Sequence, residues 1–440
     1  MHNCHPADEL YSLISNLYSL NYELKTKTMI TLAVLFGGVS VEHEISVISA
    51  VQTINAFPEF KYNIVPIYIS KEGEWYTGPG LTVMSNYRDM KKLLSWCEKV
   101  YMTPIRGDFN LYRTKTNMFK SRVVTKIDVV FPILHGSYGE DGSLQGFFEM
   151  IGIPYVGSNL RACNIAMDKI ATKYMCKAND IPCVDYMWTT DREWFEQHDA
   201  QKARAEKIGY PLIVKPAGLG SSVGISKAAN AEELDRAVDL AAKFTDKIII
   251  EKMVQNLQEI NCSVYGSYHD CHASVLEEPI RSGDILSYQD KYMGSGSAKG
   301  GSKGMKMGGK MGAKTAGSKG MSGSQRKCPA DLPEDVTKMI QALAIKTFKE
   351  MNASGIIRID FMRDSVSGDV YVNEINAIPG SLSFYLWEAT GKKFVDVLDE
   401  IISVAIKECD AKHKMLSSFD QNIFAMGGGF NAAGAKGAKR

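Results

Sequence analysis

The chain has 440 residues, 45% of them hydrophobic and 23% charged, and its formal net charge at pH 7 is +1. This length and composition are typical of a globular protein with two or three compact units. A charge so close to neutral gives no electrostatic reason to expect nucleic acid or an anionic membrane as a partner. No apolar run approaches the roughly 20 residues that span a bilayer. The nine cysteines are scattered without zinc or disulfide spacing, which favours a cytoplasmic location.

The N-terminal part of the chain predicts an extension followed by an α/β domain. Residues 1–28 lack the basic start and apolar core of a secretory signal, so we expect a weakly ordered extension, with Met29 as an alternative start. The apolar segments MITLAVLFGG, YNIVPIYIS and IDVVFPILHG then alternate with helical patterns in EHEISVISAVQTI and DGSLQGFFEMIG. This alternation predicts a parallel sheet over residues 29–158.

The rest of the chain predicts two further subdomains. Residues 159–253 contain two helical patterns and the strands of PLIVKPAGLG and KIIIEKMV, and residues 254–410 combine antiparallel strands with a long helix, which makes the C-terminal part α+β. The stretch 293–326 is almost entirely Gly, Ser, Lys, Met and Ala, so we expect a flexible insertion, and the tail 411–440 is similar. A basic nucleic-acid-binding tract is the alternative, but aromatic residues are not interleaved with these lysines.

Two neighbouring strands place polar residues on an otherwise apolar face. In GIIRIDFM and VYVNEIN, separated by a turn-rich segment, a hairpin centred near Ser367 would pair Asp360 with Glu374 and Arg358 with Asn376, with opposed side chains about 5 Å apart. Opposed carboxylates repel unless a positive charge lies between them. A Mg²⁺ ion shared with a phosphate substrate suits these oxygen donors; the alternative is that Arg358 alone neutralises them on a solvated face.

A second group of residues could bind the phosphates and base of a nucleotide. Lys215 ends an apolar strand and precedes a glycine-rich loop with Ser221 and Ser222, whose N–H and hydroxyl groups can close over phosphate oxygens. Lys169 is a further candidate. The segment IIIEKMVQNLQE offers apolar surface and hydrogen bonds for an adenine and a ribose, although a plain strand-to-loop transition explains it equally well.

Seven segments in order resemble the ATP-grasp family, and more closely the D-alanine–D-alanine ligases. They are LAVLFGGVSVEHEISVISA, FPILHGSYGEDGSLQGFFEMIGIPYVGS, MDKIATK, IVKPAGLGSSVGISK, YQDKY, IIRIDFM and VNEINAIPGS. The resemblance implies an ATP-grasp fold, with an N-terminal α/β domain followed by two subdomains that clamp ATP. It also implies the ATP-dependent joining of a D-amino acid to a second one, through an acyl phosphate, for peptidoglycan precursors.

The resemblance implies a role for each matching residue. Two Mg²⁺ ions, or Mn²⁺ in their place, would be held by Asp360, Glu374 and Asn376. ATP would be held by Lys169, Lys215, Ser222, Glu251, Lys252, Val254 and Glu259. Catalysis would involve Glu42, Ser221, Tyr292, Arg358 and Gly380, and the amino-acid substrates would contact His135, Lys291 and Ser381. The partners implied are small molecules, with a homodimer common in such ligases.

Some of these residues also have plainer explanations. Glu42 at a helix start is favoured by the helix dipole without any ligand. His43 and Glu44 beside it could suggest a metal cluster, but adjacent residues on a loop rarely converge on one ion. His135 could simply end a strand.

The sequence departs from the family pattern at the second-substrate pocket. Tyr385 lies where the ligases have a serine that helps to bind the carboxylate of the second substrate, so D-alanine, D-serine, D-lactate or another amino acid all remain open, with Ser381 or Ser383 as substitutes for that serine. The resemblance implies that the insertion lengthens a loop that closes over the site. The insertion is either part of a lid or a passive flexible segment. Two rival functions are another ATP-grasp carboxylate–amine ligase and a nucleotide-binding regulator without catalysis.

Overall fold

A computed structural model of the protein describes residues 29–58, 60–116, 118–220, 223–280 and 326–415. The strands are β1 Ile30–Gly37, β2 Tyr62–Ile69, β3 Trp75–Thr77, β4 Glu98–Tyr101, β5 Asn110–Arg113, β6 Val123–Lys126, β7 Val129–Ile133, β8 Tyr186–Thr190, β9 Leu212–Pro216, β10 Ser226–Ala228, β11 Lys247–Lys252, β12 Leu257–Gly266, β13 Cys271–Pro279, β14 Arg326–Lys327, β15 Gly355–Asp364 and β16 Val370–Asn376. The helices are α1 His43–Ala56, α2 Met90–Ser95, α3 Ser143–Ile151, α4 Leu160–Met167, α5 Lys169–Ala178, α6 Asp191–Glu196, α7 His198–Glu206, α8 Ala231–Ala241, α9 Glu334–Glu350, α10 Phe384–Ala389 and α11 Phe394–His413.

The first sheet has seven strands in the order β6-β5-β4-β3-β2-β1-β7. Only β1 with β2 and β1 with β7 are parallel, whereas β2 through β6 pair antiparallel. The expectation of a parallel sheet is therefore wrong for the outer strands. The reason is the short connection between β2 and β3, residues 70–74, because a parallel crossover needs about a dozen residues or more.

Helix α1 begins at the carboxyl end of β1. The backbone of Gly37 has a positive φ of 93°, and a Cβ there would lie 2.3 Å from the carbonyl oxygen of Ile69, so only glycine fits this turn. Ser46 of α1 accepts a hydrogen bond from the Gly37 N–H at 2.7 Å and donates one to the Ile133 carbonyl at 2.5 Å. These bonds fix α1 across the carboxyl ends of β1 and β7, where ligands bind in α/β sheets.

The other two sheets are antiparallel throughout. The second has the order β10-β9-β11-β8 and the third the order β14-β13-β12-β15-β16. Helix α8 packs on the second sheet, and α9 packs on the third. The antiparallel strands predicted for residues 254–410 are confirmed, whereas no strand direction was predicted for the second sheet.

The first and third sheets share a hydrophobic core. Side chains of β1 and α1 belong to the same buried cluster as Tyr265, Leu382 and Trp387 from the C-terminal part. Helix α11 also contributes to this cluster, through Val397 and Ile401. The last helix is therefore packed against the N-terminal sheet, which joins the two ends of the described chain.

Three of the expected segments fall outside the described residues: the extension 1–28, the insertion up to residue 325 and the tail from residue 416. The domain boundaries at residues 158 and 253 stay predictions. Among the helices of the described ranges, none combines the length and the apolar character that crossing a bilayer requires.

Candidate active site

The polar hairpin has the predicted register. Across β15 and β16, Arg358 pairs with Asn376 and Asp360 pairs with Glu374. Directly opposed residues point to the same face of a sheet, so these four side chains share one surface. The predicted register of these four residues is confirmed, although the period of two is interrupted between Val372 and Glu374.

A β-bulge adjoins this group. After the pair Asp360–Glu374 the next pair is Phe361–Val372, so Asn373 is an extra residue on β16. A bulge bends its strand and redirects a side chain, and bulges are common beside active sites. Asn373 accordingly reaches another sheet, where its Oδ1 accepts a hydrogen bond from Lys215 Nζ at 3.2 Å.

Arg358 and Asp360 form a two-pronged ion pair. Arg358 Nε donates to Asp360 Oδ1 at 2.6 Å, and its Nη2 donates to Asp360 Oδ2 at 2.8 Å. Asn376 Nδ2 also donates to Oδ2, at 3.2 Å. Arg358 is only 7% exposed, so the surface is not the solvated face that the simpler explanation required. Burying this pair is costly unless it is well hydrogen-bonded, which is the arrangement observed.

A buried carboxylate joins two lysines of the second sheet and its adjoining helix. Glu251 Oε1 lies 3.0 Å from Lys173 Nζ, and its Oε2 lies 2.6 Å from Lys215 Nζ. Burial alone would raise the pKa of Glu251, but Lys173 and then Lys215 lower it to about 2. Lys173 was missed by the sequence analysis, because a lysine in an amphipathic helix is usually solvated. Its position four residues after Lys169, on the same helix face, was the available clue.

The two remaining predicted lysines point in different directions. Lys169 opens α5 after the N-cap residue Asp168, and its Nζ donates to the Leu219 carbonyl at 2.6 Å, at the glycine-rich loop. Lys252 Nζ donates instead to the carbonyls of Gly209 and Tyr210, at 2.8 and 3.1 Å. The side chain of Lys252 thus stabilises a loop and is directed away from Lys215 and Glu251.

A small apolar cluster lies just beyond the end of β11. Val184, Val254 and Met362 are buried together, and two partly buried side chains, Leu257 and Tyr371, pack against them. Glu259 is the cross-strand partner of Met362 in the adjacent strand pair. An apolar surface bordered by a carboxylate suits an adenine with its ribose.

Glu42 lies at the start of α1 and is 7% exposed. A Cβ on Gly220 would be 3.6 Å from Glu42 Oε2, so the glycine-rich loop adjoins this carboxylate. The neighbouring His43 is satisfied by the Gly38 carbonyl and the Tyr68 hydroxyl. The idea of a metal cluster at His43 is therefore wrong, and the described residues hold no group of three or more His, Cys, Asp or Glu arranged for a metal ion.

Glu140 is a site residue that the sequence analysis missed. Its two oxygens accept hydrogen bonds from the Gly136 and Ile378 N–H groups, at 2.8 and 2.9 Å. Burial raises the pKa of Glu140 to about 8, with further contributions from the charges of Glu42 and Glu374. With this pKa Glu140 is mainly protonated at pH 7, so a negative potential that suits an ammonium group comes from the charges of Glu42 and Glu374. The sequence analysis considered His135 in the segment HGSYGEDG but not Glu140.

His135 is 4% exposed, and its ring is hydrogen-bonded. Its Nε2 lies 2.9 Å from Ser49 Oγ, and the ring also donates to the backbone of Ile378. Burial lowers the pKa of His135 to about 4, although the Ile378 contact opposes this shift. His135 is therefore neutral at pH 7.

Tyr385 belongs to a charged cluster. Its hydroxyl donates to Glu277 Oε2 at 2.9 Å, and Arg326 both lies 3.1 Å from Glu277 Oε1 and covers the Tyr385 ring at 3.9 Å. Burial and the adjacent Glu277 raise the pKa of Tyr385, so its hydroxyl stays a donor. Glu277 is aligned across the sheet with Asp360, through Asn261 on the intervening strand.

Ser381 and Ser383, the two candidates for the missing serine, differ in their hydrogen bonds. Ser381 Oγ donates to Gln52 Oε1 at 2.8 Å, whereas Ser383 Oγ is buried without a hydrogen-bond partner in the described part of the chain. The predicted residues Ser221, Ser222, Lys291 and Tyr292 lie outside the described residues.

The fold and the site together define an ATP-dependent ligase of the ATP-grasp class. Solved structures with the same architecture include a D-alanine–D-alanine ligase from Coxiella burnetii, with a TM-score of 0.69 and 29% identity over 88% of this chain and 96% of that one. Another is the VanG D-Ala:D-Ser ligase from Enterococcus faecalis, with a TM-score of 0.69 and 27% identity over 86% of this chain and all of that one. The predicted fold class is confirmed.

Comparison with protein families is more specific. The profile for the D-ala D-ala ligase N-terminus matches residues 31–158, and that for the C-terminus matches 175–303 and 313–403. D-alanine–D-alanine ligases of Thermosipho melanesiensis and Thermoanaerobacter sp. are 36% and 38% identical, over 90% and 87% of this chain and 98% of each relative. The chain belongs to the D-alanine–D-alanine ligase family.

Proposed function

We propose that this protein joins the carboxyl group of D-alanine to the amine of a second D-amino acid, D-alanine in the first instance, at the expense of ATP, and that the product serves peptidoglycan synthesis. The observation that carries the proposal is the contact between Lys215 and Asn373, because it brings a phosphate-binding lysine against the strand that holds Glu374. The family membership supports both the reaction type and D-alanine.

In the proposed reaction, a carboxylate oxygen of the first amino acid attacks the terminal phosphorus of ATP, and the bond to ADP breaks. The acyl phosphate that results is attacked at its carbonyl carbon by the amine of the second amino acid. The amine loses a proton, and phosphate leaves with the electrons of the broken C–O bond. Catalysis of this kind rests mainly on positioning and on neutralising oxygen charge.

Each substrate has a matching surface. The charge of Glu42, with that of Glu374, attracts the ammonium of the first amino acid, while neutral His135 adds no competing charge. Lys169 and Lys215 hold the phosphates, and the apolar cluster around Val254 holds the adenine, with Glu259 at its ribose. Arg358 and the N–H of Gly380 stabilise negative charge on the reacting carbonyl and phosphate oxygens.

The donor set fits Mg²⁺. Asp360, Glu374 and Asn376 offer carboxylate and amide oxygens on adjacent strands, the ligand type that Mg²⁺ and Mn²⁺ prefer. Two such ions would supply neutralisation of phosphate charge. Asp360 keeps lone pairs for a cation while Arg358 holds it, since an ionised carboxylate has about four acceptor sites.

The second amino acid has a specific alternative, D-serine. Tyr385, with Glu277 and Arg326, replaces the serine of the usual ligases, and a structural relative with 27% identity is a D-Ala:D-Ser ligase. A small polar side chain could reach the Glu277–Tyr385 pair, which is rich in hydrogen-bonding groups.

Product analysis tests the proposal. The purified protein is incubated with ATP, Mg²⁺ and pairs of amino or hydroxy acids, and phosphate release and product mass are measured. We expect dipeptide formation with D-alanine as first substrate. Turnover only with pairs that lack D-alanine would instead identify another carboxylate–amine ligase, and ATP binding without turnover would identify a regulator.

A further inference from the structure

The segment after Gly380 has a rare backbone conformation. Ser381, Leu382 and Ser383 have φ values of 51°, 48° and 50°, so three consecutive residues other than glycine are left-handed. Each costs free energy because its Cβ crowds the backbone, and such residues usually occur singly. Strain of this kind persists only where the surroundings over-determine it, and it clusters at functional sites.

Helix α1 of the N-terminal domain supplies the contacts that hold this turn. The Ser381 N–H donates to Ser49 Oγ at 2.9 Å, and Ser381 Oγ donates to Gln52 Oε1 at 2.8 Å. Ser49 and Gln52 are three residues apart and therefore face the same side of the helix. Leu382 is 1% exposed and lies in the core shared by the two domains.

Ser49 also fixes His135. Ser49 Oγ lies 2.9 Å from His135 Nε2, and the backbone of Ile378 is a further partner of the ring. The Ser49 hydroxyl thus contacts His135 while it accepts a hydrogen bond from the Ser381 N–H. The hydrogen bonds reach the chain at Ile378 and at Ser381, on both sides of Gly380.

We infer that Ser49 and Gln52 are positioning residues for the ligase reaction: they hold the left-handed turn 381–383 and thereby orient the Gly380 N–H and His135 toward the substrates. This inference rests on the proposed function, because it assigns Gly380 to the reacting carbonyl. The helix that begins at Glu42 would then align both ends of the first substrate, its ammonium and its carboxyl group.

The test compares Ser49→Ala with Thr53→Val. Thr53 is equally buried one turn further along α1, but its hydroxyl bonds only to the Ser49 carbonyl within the helix. We expect Ser49→Ala to lower kcat by about 10- to 100-fold with the KM for ATP changed less than threefold, since small misplacements cost rate rather than nucleotide binding. Thr53→Val should keep kcat within about twofold, and Ser49→Thr, which retains a hydroxyl, should recover most of the loss.

Two further measurements keep the test decisive. Gln52→Ala alters a partly buried side chain and should fold even if Ser49→Ala does not, with a smaller fall in kcat. The ¹⁵N chemical shifts of His135 should show loss of the Nε2 hydrogen bond in Ser49→Ala, independently of turnover. Equal kcat values for Ser49→Ala, Gln52→Ala and the wild type, or an equal fall in Thr53→Val, would overturn the inference; a wild type that makes no peptide would overturn only the proposed function.

Discussion

Lys215 Nζ donates to Asn373 Oδ1 at 3.2 Å, although the two residues belong to different sheets. Asn373 can make this contact because it is the extra residue of the β-bulge in β16. The bulge therefore joins Lys215, the lysine proposed to bind phosphate, to the strand of Glu374. A nucleotide whose phosphates contact Lys215 would lie close to the residues proposed to bind Mg²⁺.

Asn373→Ala should weaken ATP binding while leaving the fold intact. The change removes the acceptor that directs the Lys215 amine, and hydrogen bonds to charged groups contribute roughly 1.5–3 kcal/mol. We expect the KM for ATP to rise by about tenfold or more. Asn256→Ala is the control, because Asn256 bonds to Asp364 near the turn of the same hairpin. An equal effect of both substitutions would contradict this role of the bulge.

Asp360→Asn should weaken metal binding far more than Asp364→Asn. Both aspartates lie on β15, but Asp364 caps the hairpin turn by accepting the N–H groups of Val366 and Ser367. We expect the Mg²⁺ concentration for half-maximal binding of a non-hydrolysable ATP analogue to rise at least tenfold for Asp360→Asn only, because a charged ligand is lost. Isothermal titration calorimetry measures this directly, and unchanged Mg²⁺ dependence would exclude Asp360 as a ligand.

Glu251→Gln should destabilise the protein strongly. The substitution leaves Lys173 and Lys215 buried without their counter-charge, which typically costs about 3–5 kcal/mol. The free energy of unfolding in urea measures the effect. Glu232→Gln breaks an exposed pair with Arg236 and should change stability by less than about 0.5 kcal/mol. A small effect of Glu251→Gln would mean that the lysines are neutral or solvated in the folded protein.

The sequence predicted the register of the hairpin well because this register depends on residues that are close together in the chain. Alternation places every second residue on one face, so Asp360 had to share a surface with Arg358, and a short turn left few registers for Glu374 and Asn376. The bulge at Asn373 was not predictable, since no glycine or proline marks it. The pairing nearer the turn is therefore shifted by one residue, while the predicted pairs Arg358–Asn376 and Asp360–Glu374 are present.

Contacts between distant segments were the main failures. The contacts of Lys173 and Glu140 form only in the folded chain. Lys173 on α5 meets Glu251 on β11, and Glu140 in the loop after β7 meets Ile378 after the end of β16. The left-handed turn at Ser381 is likewise stabilised by α1, more than 300 residues earlier. Local propensity favours glycine for such a conformation, and the segment GSLS has it only at its first position.

His135 should make stability depend on pH in a defined window. Its pKa is about 4 in the folded protein against an ordinary 6.5, so the unfolded chain binds the extra proton first as pH falls. The contribution of His135 to the free energy of unfolding is fully present above pH 6.5, and it falls by about 1.4 kcal/mol per pH unit between pH 6.5 and pH 4. Urea unfolding at pH 7.5 and 5.5 measures the slope. His135→Gln should flatten it, and an unchanged slope in this variant would show that other groups dominate.

Tyr385→Ser should change the choice of the second amino acid. The substitution removes a ring that is held between Arg326 and Glu277, and it also frees space close to Arg358, whose charge interacts with Tyr385. Because an altered pocket discriminates by steric fit and by hydrogen bonds, we expect the ratio of kcat/KM for D-serine and D-alanine to shift by tenfold or more. The KM values for ATP and the first D-alanine should stay within threefold, since the substitution does not alter Glu42, Lys215 or the apolar cluster around Val254. Tyr268→Ser, at an exposed position beyond β12, is the control. An unchanged ratio would place the second substrate away from Tyr385, and a parallel loss for every substrate would show that the ring only supports the fold.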